Sequence, residues 1–444
     1  GSPYQERGDF RTSAGIEGLI REKLNGLCRL GIKPGLERIT ALLEALGNPH
    51  KHLRAVHVAG TNGKGSTALI IARVLAAAGY RTGRYSSPHM HSYCERFEID
   101  DRVISPGQLH VYLQKVLNAA QSLSADFPSE FEILTAIAFL FFREEGVDIA
   151  VLETGMGGSY DATTIAFPCL CVITGVDYDH TAYLGDSLPE IAANKAGIIK
   201  PGIPVVIGPM QQTARQVIEA RAARLQSPVV PYLQDAIKPV GHKDLSGQLI
   251  NIQAESHAMK EVWFSLPGLF QLHNLAVALT ALSELEKMSF VITDEYIRTA
   301  LGKLHLAGRL EMLKSDPLII ADVAHNRQGA QALQTALAEL LPGRKRVLLI
   351  GIVDDKDAGA VLQHLGQGCR YCVITRPEGQ RSQQWARCAE VWQGLFPDIP
   401  CRLEKDIAKA VDFSRSLLGL EDYLLVTGSF YVLDRARQHI LAQP

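Results

Sequence analysis

The sequence lacks the features that mark membrane proteins, polyanion-binding proteins and disulfide-linked secreted proteins. No apolar run reaches membrane-spanning length, and 45 basic against 47 acidic residues leave a net charge of −2. Neither a membrane nor a nucleic acid is therefore an expected partner. The N-terminus shows no apolar signal-peptide segment. These absences favour a protein of the cytoplasm.

Cysteine use also argues against a disulfide framework or a zinc site. The eight cysteines are scattered, and only Cys369 and Cys372 form a C-x-x-C pair, with no second pair at zinc-binding spacing. A reducing compartment is the natural setting for such a distribution. We expect Cys372 to lie in a buried strand instead of a redox or metal centre.

The composition that remains is that of a globular protein with room for two domains. The chain has 444 residues, of which 47% are hydrophobic and 21% charged. Apolar strand-like runs alternate with helical patterns, which predicts an α/β fold with a mostly parallel sheet. We expect one domain over residues 1–304, with a small β-rich segment at about 228–266, and a second over 305–444. No association stripe is evident, so we expect a monomer.

The stretch 56–67, VHVAGTNGKGST, has the pattern of a phosphate-binding turn. An apolar strand passes through three glycines into an apolar helix, whose N-terminal N–H groups favour an anion. Lys64 adds a positive charge, and Ser66 adds a hydroxyl. The spacing departs from the common P-loop, because only two residues separate Gly60 from Gly63 and Gly65 follows the lysine. The pattern predicts nucleotide phosphate binding, and a purely structural strand–helix turn is the alternative.

Polar residues close several apolar strands. Glu153 ends the run 148–153 and precedes a glycine-rich loop, a typical placement for a magnesium ligand, although a strand-end glutamate exposed to solvent is the alternative. Ser87 ends the strand predicted at 81–87, and His180 follows the one at 170–175. The segment 322–326, DVAHN, ends a later strand and suggests ribose or phosphate contacts, with loop capping as the alternative.

Residues 128–132, PSEFE, open a predicted helix over 129–145. Ser129 with Glu132 three positions later is a capping box, which by itself explains both residues. Capping and ligand contact have equal weight at this point.

Taken together, these motifs are similar to those of a known family. The chain resembles the folylpolyglutamate synthases and dihydrofolate synthases, a branch of the Mur-ligase superfamily, from about residue 36 to residue 432. The resemblance implies a P-loop-containing Mur-ligase-like domain followed by a smaller Rossmann-like α/β domain. The matching stretches are Val56–Ser66, Ser86–His89, Pro128–Thr135, Glu153–Thr163, Asp179–Thr181, Leu184–Asp186, Lys195–Pro201, Asn274, Gly308-Arg309, Asp322–Asn326, Gly351, Asp355–Asp357 and Gly428-Ser429.

The resemblance also implies roles for individual residues. ATP would be bound by Thr61, Asn62, Gly63, Lys64, Gly65, Ser66, Asn274, Arg309 and Asp322. Mg²⁺ would be bound by Ser87, Glu153 and His180. The catalytic group would comprise Lys64, Lys195, His180 and His325, and Lys195 matches a lysine that is carbamylated in this family. The pterin side of the substrate would be met by Ser129, Glu130, Phe131, Glu132, Tyr160, Asp161 and Ala162.

The implied activity is ATP-dependent ligation of L-glutamate to a folate or dihydropteroate carboxylate through an acyl phosphate. Four positions depart from the family pattern. Ser159 and Thr164 stand where arginine and asparagine are usual, and Ala307 and Arg327 stand where proline is common. The first two lie in the loop assigned to the pterin, so the same chemistry on a non-folate acid is an alternative. A P-loop phosphotransferase and a non-catalytic nucleotide-binding module are further alternatives.

Overall fold

The computed structural model describes residues 12–28, 34–123 and 126–443. The helices of these residues are α1 (Ser13–Cys28), α2 (Glu37–Ala45), α3 (Lys64–Ala77), α4 (Pro106–Gln121), α5 (Glu130–Glu144), α6 (Thr181–Leu184), α7 (Leu188–Lys195), α8 (Gln212–Arg224), α9 (Phe270–Lys287), α10 (Asp294–Leu301), α11 (Arg327–Leu340), α12 (Ala358–Leu365), α13 (Arg387–Leu395), α14 (Ile407–Ser416) and α15 (Phe430–Ala442). The strands are β1 (Ala55–Ala59), β2 (Thr82–Tyr85), β3 (Phe97–Ile99), β4 (Arg102–Val103), β5 (Ile149–Glu153), β6 (Pro168–Ile173), β7 (Val205–Ile207), β8 (Val229–Pro231), β9 (Ile237–Asp244), β10 (Gly247–Gln253), β11 (Ala258–Phe264), β12 (Glu311–Ser315), β13 (Leu318–Ala321), β14 (Lys345–Ile350), β15 (Cys369–Ile374), β16 (Cys401–Leu403) and β17 (Asp422–Thr427).

The first compact unit comprises Gly1–Val176, Pro189–Leu233 and Val277–Ala300. Its eight-stranded sheet has the order β4-β3-β2-β5-β1-β6-β7-β8. All pairings from β2 to β8 are parallel, and β3 and β4 add an antiparallel edge. The central strands β1 and β5 are fully buried and apolar except for His57 and Glu153, as is usual for parallel strands covered on both faces. The predicted, mostly parallel α/β sheet is confirmed.

Strand register sets the position of the phosphate-binding turn. Val58 on β1 pairs with Glu153 on β5, and Ala59 pairs with Ile173 on β6. The three strands therefore end side by side. Ligands of open α/β sheets bind at this carboxyl edge, so the turn after β1 and the carboxylate that ends β5 share the favoured location.

The second compact unit comprises Asp177–Leu188, Gln234–Ala276 and Leu301–Pro444. Its main sheet has the order β12-β13-β17-β14-β15-β16, and a separate antiparallel sheet has the order β11-β10-β9. The β-rich segment expected at 228–266 is present as β9 to β11. The strand at its start, β8, instead joins the large sheet of the first unit.

The cysteines of the second unit are structural. Cys369 and Cys372 both lie in β15 and are buried, and Cys372 pairs in register with Cys401 on β16. Burial raises the pKa of the Cys369 thiol to about 12, so the thiolate is disfavoured. The expectation of a buried strand at Cys372 is confirmed. Within the part of the chain that the structure describes, every helix is too short or too polar to cross a bilayer.

Two features of the secondary structure differ from what the sequence pattern indicates. Apolar residues at helical spacing predict a helix over 16–46, but this segment contains two helices, α1 and α2, and residues 29–33 between them lie outside the described residues. Pro34 and Gly35 precede α2, and Gly35 has a φ of +113° that does not belong to a helix. Strand β12 was missed because it is a half-exposed, antiparallel edge strand with polar residues at both ends.

The edge of the first sheet contains a buried ion cluster. The guanidinium of Arg84 on β2 bonds to both carboxylate oxygens of Glu98 on β3, at 3.3 and 3.0 Å. Arg73 from α3 also bonds to Glu98. Burial alone would raise the pKa of Glu98, but the Arg84 charge and the hydrogen bonds outweigh it and lower this pKa to about 2. Glu98 is therefore ionised inside the fold.

We predict that Arg84→Met lowers the free energy of unfolding at pH 7 by about 3 kcal/mol or more, because the buried Glu98 carboxylate would lose one of the two arginines that neutralise its charge. Urea unfolding measures the effect. Arg81→Met is the matched control, since its ion pair with Glu145 is exposed and contributes less than about 1 kcal/mol. Equal losses in the two variants would show that the buried cluster adds nothing.

The same cluster predicts a pH dependence. The folded-state pKa of Glu98 is about 2, below its ordinary value of 4.5, so its stabilisation is complete above the ordinary value and is lost as pH falls toward 2. The stability difference between wild type and Arg84→Met should therefore shrink as the pH is lowered from about 6 to about 3. A constant difference across that range would contradict the assignment.

Candidate active site

The turn after β1 is fastened to the end of β6. The N–H of Thr61 donates to the carbonyl of Gly175 at 3.0 Å, and the hydroxyl of Thr174 donates to the carbonyl of Asn62 at 2.6 Å. Gly60 has a φ of +151°, and a Cβ there would lie 1.9 Å from Thr174 Oγ1. Only glycine fits this approach. The turn is thus held rigidly against the neighbouring strand.

Helix α3 begins directly at the turn. Gly63 takes the left-handed conformation at φ +83° and precedes Lys64, the first helical residue. Lys64 Nζ donates to the carbonyl of Gly60 at 2.9 Å, so the ammonium group lies against the turn. Ser66 and Thr67 are buried in the first helical turn. A helix N-terminus with a lysine beside it is a site suited to a phosphate group.

Glu153 places a carboxylate next to this helix N-terminus. It ends β5 and is 5% exposed, and a Cβ on Gly65 would lie 3.8 Å from its Oε2 atom. Ser87 follows β2, the strand that pairs with β5. Carboxylate and hydroxyl oxygens are hard donors, which suits Mg²⁺ beside a phosphate site. His180 belongs to the second unit, where it precedes α6 with a φ of +48°.

Other metal arrangements are not seen in the described ranges. Among residues 12–28, 34–123 and 126–443, no three histidine, cysteine, aspartate or glutamate side chains come together as a metal site. Next to the glycine turn, the Glu153 carboxylate is therefore the ligand that suits a metal ion.

Lys195 ends α7 and is only 3% exposed. Lysine is rarely buried to this degree without a partner or a chemical role. The backbone around it packs closely on the glycine loop, since a Cβ on Gly158 would lie 2.7 Å from the carbonyl of Asn194 and 2.8 Å from that of Lys195. Lys195 therefore lies where α7 and the glycine loop meet.

The two departures in the glycine loop are both used inside the protein. Ser159 donates twice to the carbonyl of Asn194, through its N–H at 2.9 Å and its hydroxyl at 3.0 Å. The buried hydroxyl of Thr164 donates to the carbonyl of Gly158 at 2.6 Å. Both side chains thus fasten the loop to itself and to the end of α7.

The three predicted substrate residues of this loop have different surroundings. Tyr160 is 64% exposed, whereas Ala162 is buried. Asp161 is 7% exposed, and its Oδ1 accepts from the N–H of Gly155 at 2.8 Å and of Met156 at 2.9 Å. Burial raises the pKa of Asp161, and these hydrogen bonds oppose that shift. Tyr160 is the residue of the three that the loop presents to solvent.

The capping interpretation of Ser129 and Glu132 is confirmed. Ser129 Oγ accepts from the N–H of Glu132 at 3.2 Å, and Glu132 Oε1 accepts from the N–H of Ser129 at 3.2 Å. Glu132 Oε1 also accepts from Arg38 Nε at 3.0 Å. Both residues therefore have a structural role at the start of α5.

The two residues between them face other parts of the first unit. Glu130 accepts a hydrogen bond from the hydroxyl of Tyr93. The Phe131 ring stacks on Tyr85 with 6.0 Å between centroids, and a Cβ on Gly155 would lie 2.6 Å from this phenylalanine ring. Phe131 thus forms an apolar surface under the glycine loop.

In the second unit, Asp322 holds the turn that carries Arg309. Its Oδ2 accepts from the N–H of Leu310 at 2.9 Å, and its Oδ1 accepts from the N–H of Ala324 at 2.8 Å. Leu310 has a φ of +45°, an unusual conformation that these bonds support. Burial raises the pKa of Asp322, although the charge of Arg309 opposes the shift. Asn274 lies apart on α9, where its amide donates to Gln271 Oε1 at 2.9 Å.

Asp179 was not predicted as a site residue, yet it is the centre of a polar cluster. Its carboxylate accepts from Lys356 Nζ, from Asn326 Nδ2 at 3.2 Å and from His325 Nε2 at 3.3 Å. Burial would raise the pKa of Asp179, but His325, His180 and Lys356 outweigh it and hold this pKa far below its usual range. Asp179 and Lys356 both lie in motif stretches, which was the available signal.

Comparison with known proteins agrees with this arrangement. The Mur ligase middle domain matches residues 58–282, and the Mur ligase glutamate ligase domain matches residues 308–430. The chain is 32% identical over 429 residues to the dihydrofolate synthase/folylpolyglutamate synthase of Bacillus subtilis, covering 95% of this chain and 98% of that one.

Solved structures are similar over nearly the whole chain. A folylpolyglutamate synthase of Mycobacterium tuberculosis complexed with ADP has a TM-score of 0.90 at 30% identity, over 98% of this chain and 100% of that one. A bifunctional folylpolyglutamate synthase/dihydrofolate synthase of Yersinia pestis, complexed with AMPPNP and a Mn ion, has a TM-score of 0.81 at 28% identity, over 97% and 99% of the two chains. The chain therefore belongs to the folylpolyglutamate synthase/dihydrofolate synthase family of the Mur ligases.

Proposed function

We propose that this protein is an ATP- and Mg²⁺-dependent ligase that joins L-glutamate to the carboxylate of a folate or a dihydropteroate. The observation that carries the proposal is the glycine turn and helix N-terminus beside the Glu153 carboxylate, in a chain of this family. The ADP, AMPPNP and Mn ion bound by the similar structures support a nucleotide and a divalent cation.

The chemistry requires activation, because joining a free carboxylate to an amine is uphill in water. The substrate carboxylate attacks the γ-phosphorus of ATP, which forms an acyl phosphate and releases ADP. The glutamate amine then attacks the acyl carbon, and phosphate leaves. The protein mainly positions the reactants and neutralises charge. Lys64 and the first N–H groups of α3 are suited to bind the phosphates, as P-loop residues do.

The residues that we assign to the metal are Ser87, Glu153 and His180. Their hydroxyl, carboxylate and imidazole groups are compatible with Mg²⁺, which would neutralise phosphate charge when bound. In the second unit we assign Arg309 to the phosphates, Asp322 to the ribose, Asn274 to the adenine and His325 to the catalytic group. The bonds of Asp322 to the turn support a role in presenting Arg309.

We also infer that Lys195 is carbamylated. An ammonium beside a metal site would repel the cation, whereas a carbamate is an anion that binds it. Carbamylation needs the neutral amine, which burial favours, and Lys195 is 3% exposed.

Two broader predictions remain part of this proposal. Residues 1–304 would bind ATP, and residues 305–444 would form the ligase domain, which the parallel sheet around the glycine turn and the separate six-stranded sheet support. We infer a cytoplasmic location, because the described cysteines, Cys94, Cys169, Cys171, Cys369, Cys372, Cys388 and Cys401, are free thiols.

The first test is ADP release by the purified protein with ATP, Mg²⁺ and L-glutamate, using dihydropteroate or tetrahydrofolate as the acid. We expect turnover that depends on both acid and glutamate, with a product heavier by one glutamyl residue. ADP release without glutamate would instead indicate a phosphotransferase. Nucleotide binding without turnover of either acid would favour a non-folate acid, the alternative that Ser159 and Thr164 raise.

We predict that Gly60→Ala weakens ATP binding by at least about tenfold, or about 1.4 kcal/mol, because the new methyl group would displace the turn from Thr174. Titration with a fluorescent ATP analogue measures the effect. Gly107→Ala is the control, since a Cβ at Gly107 meets no atom within 4 Å. Unchanged affinity in Gly60→Ala would remove the turn from the ATP site.

We predict that Lys195→Ala loses activity by about a hundredfold or more and recovers part of it with added formate or acetate, whose carboxylates would take the place of the missing carbamate. Steady-state ADP release measures the recovery. Lys64→Ala is the comparison, because it should also lose activity but should not respond to the added acids. Full activity in Lys195→Ala, or equal recovery in both variants, would refute carbamylation.

A further inference from the structure

A buried chain of polar side chains joins strand β1 to the glycine loop. His57 lies in the middle of β1, three residues before Gly60, and has no solvent exposure. Its Nε2 atom lies 2.7 Å from Thr163 Oγ1. The Thr163 hydroxyl donates to Asp161 Oδ2, and Asp161 Oδ1 accepts from the N–H groups that begin the glycine loop. The chain thus reaches from the strand of the phosphate-binding turn to the backbone of a second loop.

The directions of these hydrogen bonds are fixed by chemistry. The carboxylate of Asp161 can only accept, so the single hydroxyl hydrogen of Thr163 is directed to it. The oxygen of Thr163 then accepts from His57, which must carry its hydrogen on Nε2. Burial, together with the charge of Lys200, lowers the pKa of His57 to about 3. The imidazole is therefore neutral at pH 7, with its hydrogen on Nε2.

The position of His57 is unfavourable for stability alone. Its neighbours Val56 and Val58 are fully buried aliphatic residues, as is usual in a central parallel strand. The second ring nitrogen of His57, Nδ1, is buried and has no hydrogen-bond partner among the described residues. A buried polar atom without a partner is destabilising, and an aliphatic side chain would avoid this loss. The hydrogen bond to Thr163 is the interaction that histidine provides at this position and an aliphatic residue would not.

We propose that His57 and Thr163 are positioning residues that hold Asp161, and through it the glycine loop, in the conformation that receives the acid substrate. Both oxygens of Asp161 accept hydrogen bonds from the protein and the residue is 7% exposed, so its carboxylate is well placed to fix the loop. The loop presents the exposed Tyr160 next to it. The same strand thereby sets the geometry of the phosphate-binding turn and of the acid-binding loop.

This inference rests on the proposed function only for the identity of the acid. The linkage between β1 and the glycine loop is independent of it. The KM measurement therefore requires turnover, whereas the hydrogen-exchange measurement does not.

The test compares Thr163→Val, which keeps the shape but removes the hydroxyl, with Thr163→Ser, which keeps the hydroxyl. We expect Thr163→Val to raise the KM for the folate or dihydropteroate by about tenfold, while kcat and the KM for ATP change by less than about threefold. Thr163→Ser should resemble wild type. Thr82→Val is the control, because it removes a buried hydroxyl that bonds to the Tyr80 carbonyl at the start of β2, away from the glycine loop.

The second readout is hydrogen exchange measured by mass spectrometry on peptides that cover residues 154–158. The N–H groups of Gly155 and Met156 should exchange faster in Thr163→Val than in wild type, Thr163→Ser or Thr82→Val, because their acceptor Asp161 loses its support. His57→Phe, which removes the first donor of the hydrogen-bond chain, should accelerate exchange of the same amide hydrogens. Thermal unfolding checks that each variant is folded.

Two outcomes would overturn the inference. One is unchanged exchange at residues 154–158 in both Thr163→Val and His57→Phe. The other is an equal rise in the KM for ATP and for the acid in Thr163→Val, which would indicate a general loss of structure. If wild-type protein turns over no folate, the proposed function fails, but the exchange experiment still decides whether the buried chain holds the loop.

Discussion

The candidate site depends on the register of three parallel strands. Strands β1, β5 and β6 end side by side, and the turn after β1 lies so close to Thr174 that no side chain fits at Gly60. This contact fixes where α3 begins and therefore where its N-terminal N–H groups point. The same register brings Glu153 to the start of that helix. Displacing any one of the three strands would separate the phosphate-binding turn from the carboxylate.

Two carboxylates near this edge have different surroundings, and these suggest different roles. The carboxylate oxygens of Asp161 accept hydrogen bonds from backbone N–H groups and from the Thr163 hydroxyl, so this carboxylate shapes a loop. Glu153 ends a strand beside the helix that follows the glycine turn, where a negative charge suits a metal cofactor. Residue type alone does not separate these cases. The backbone N–H groups that bond to Asp161 identify it as a carboxylate with a structural role.

The sequence predicted most of the regular structure and the phosphate-binding turn, because both depend on local patterns. Apolar β-branched runs predict strands, and Ser129 with Glu132 predicts a cap that the structure contains. What could not be predicted depends on contacts between distant residues. The bond of Ser159 to the Asn194 carbonyl requires α7 and the loop to meet, and the bond from Lys356 to Asp179 joins residues 177 positions apart.

In the second unit, the loops at the ends of the strands are held together by a buried negative charge, that of Asp179. Asn326 caps α11 by accepting from the N–H of Gly329 at 2.9 Å, and its amide donates to Asp179. The chain after β14 brings Lys356 to the same carboxylate, one residue before the Asp357 cap of α12. A single buried anion is thus shared by two loops at the carboxyl ends of β13 and β14, each of which leads into a helix. Since helix N-termini and Lys356 are all positive, Asp179 offsets a charge that would otherwise be concentrated there. Holding these loops together is therefore an electrostatic requirement of the second sheet, just as close backbone packing is the requirement of the first.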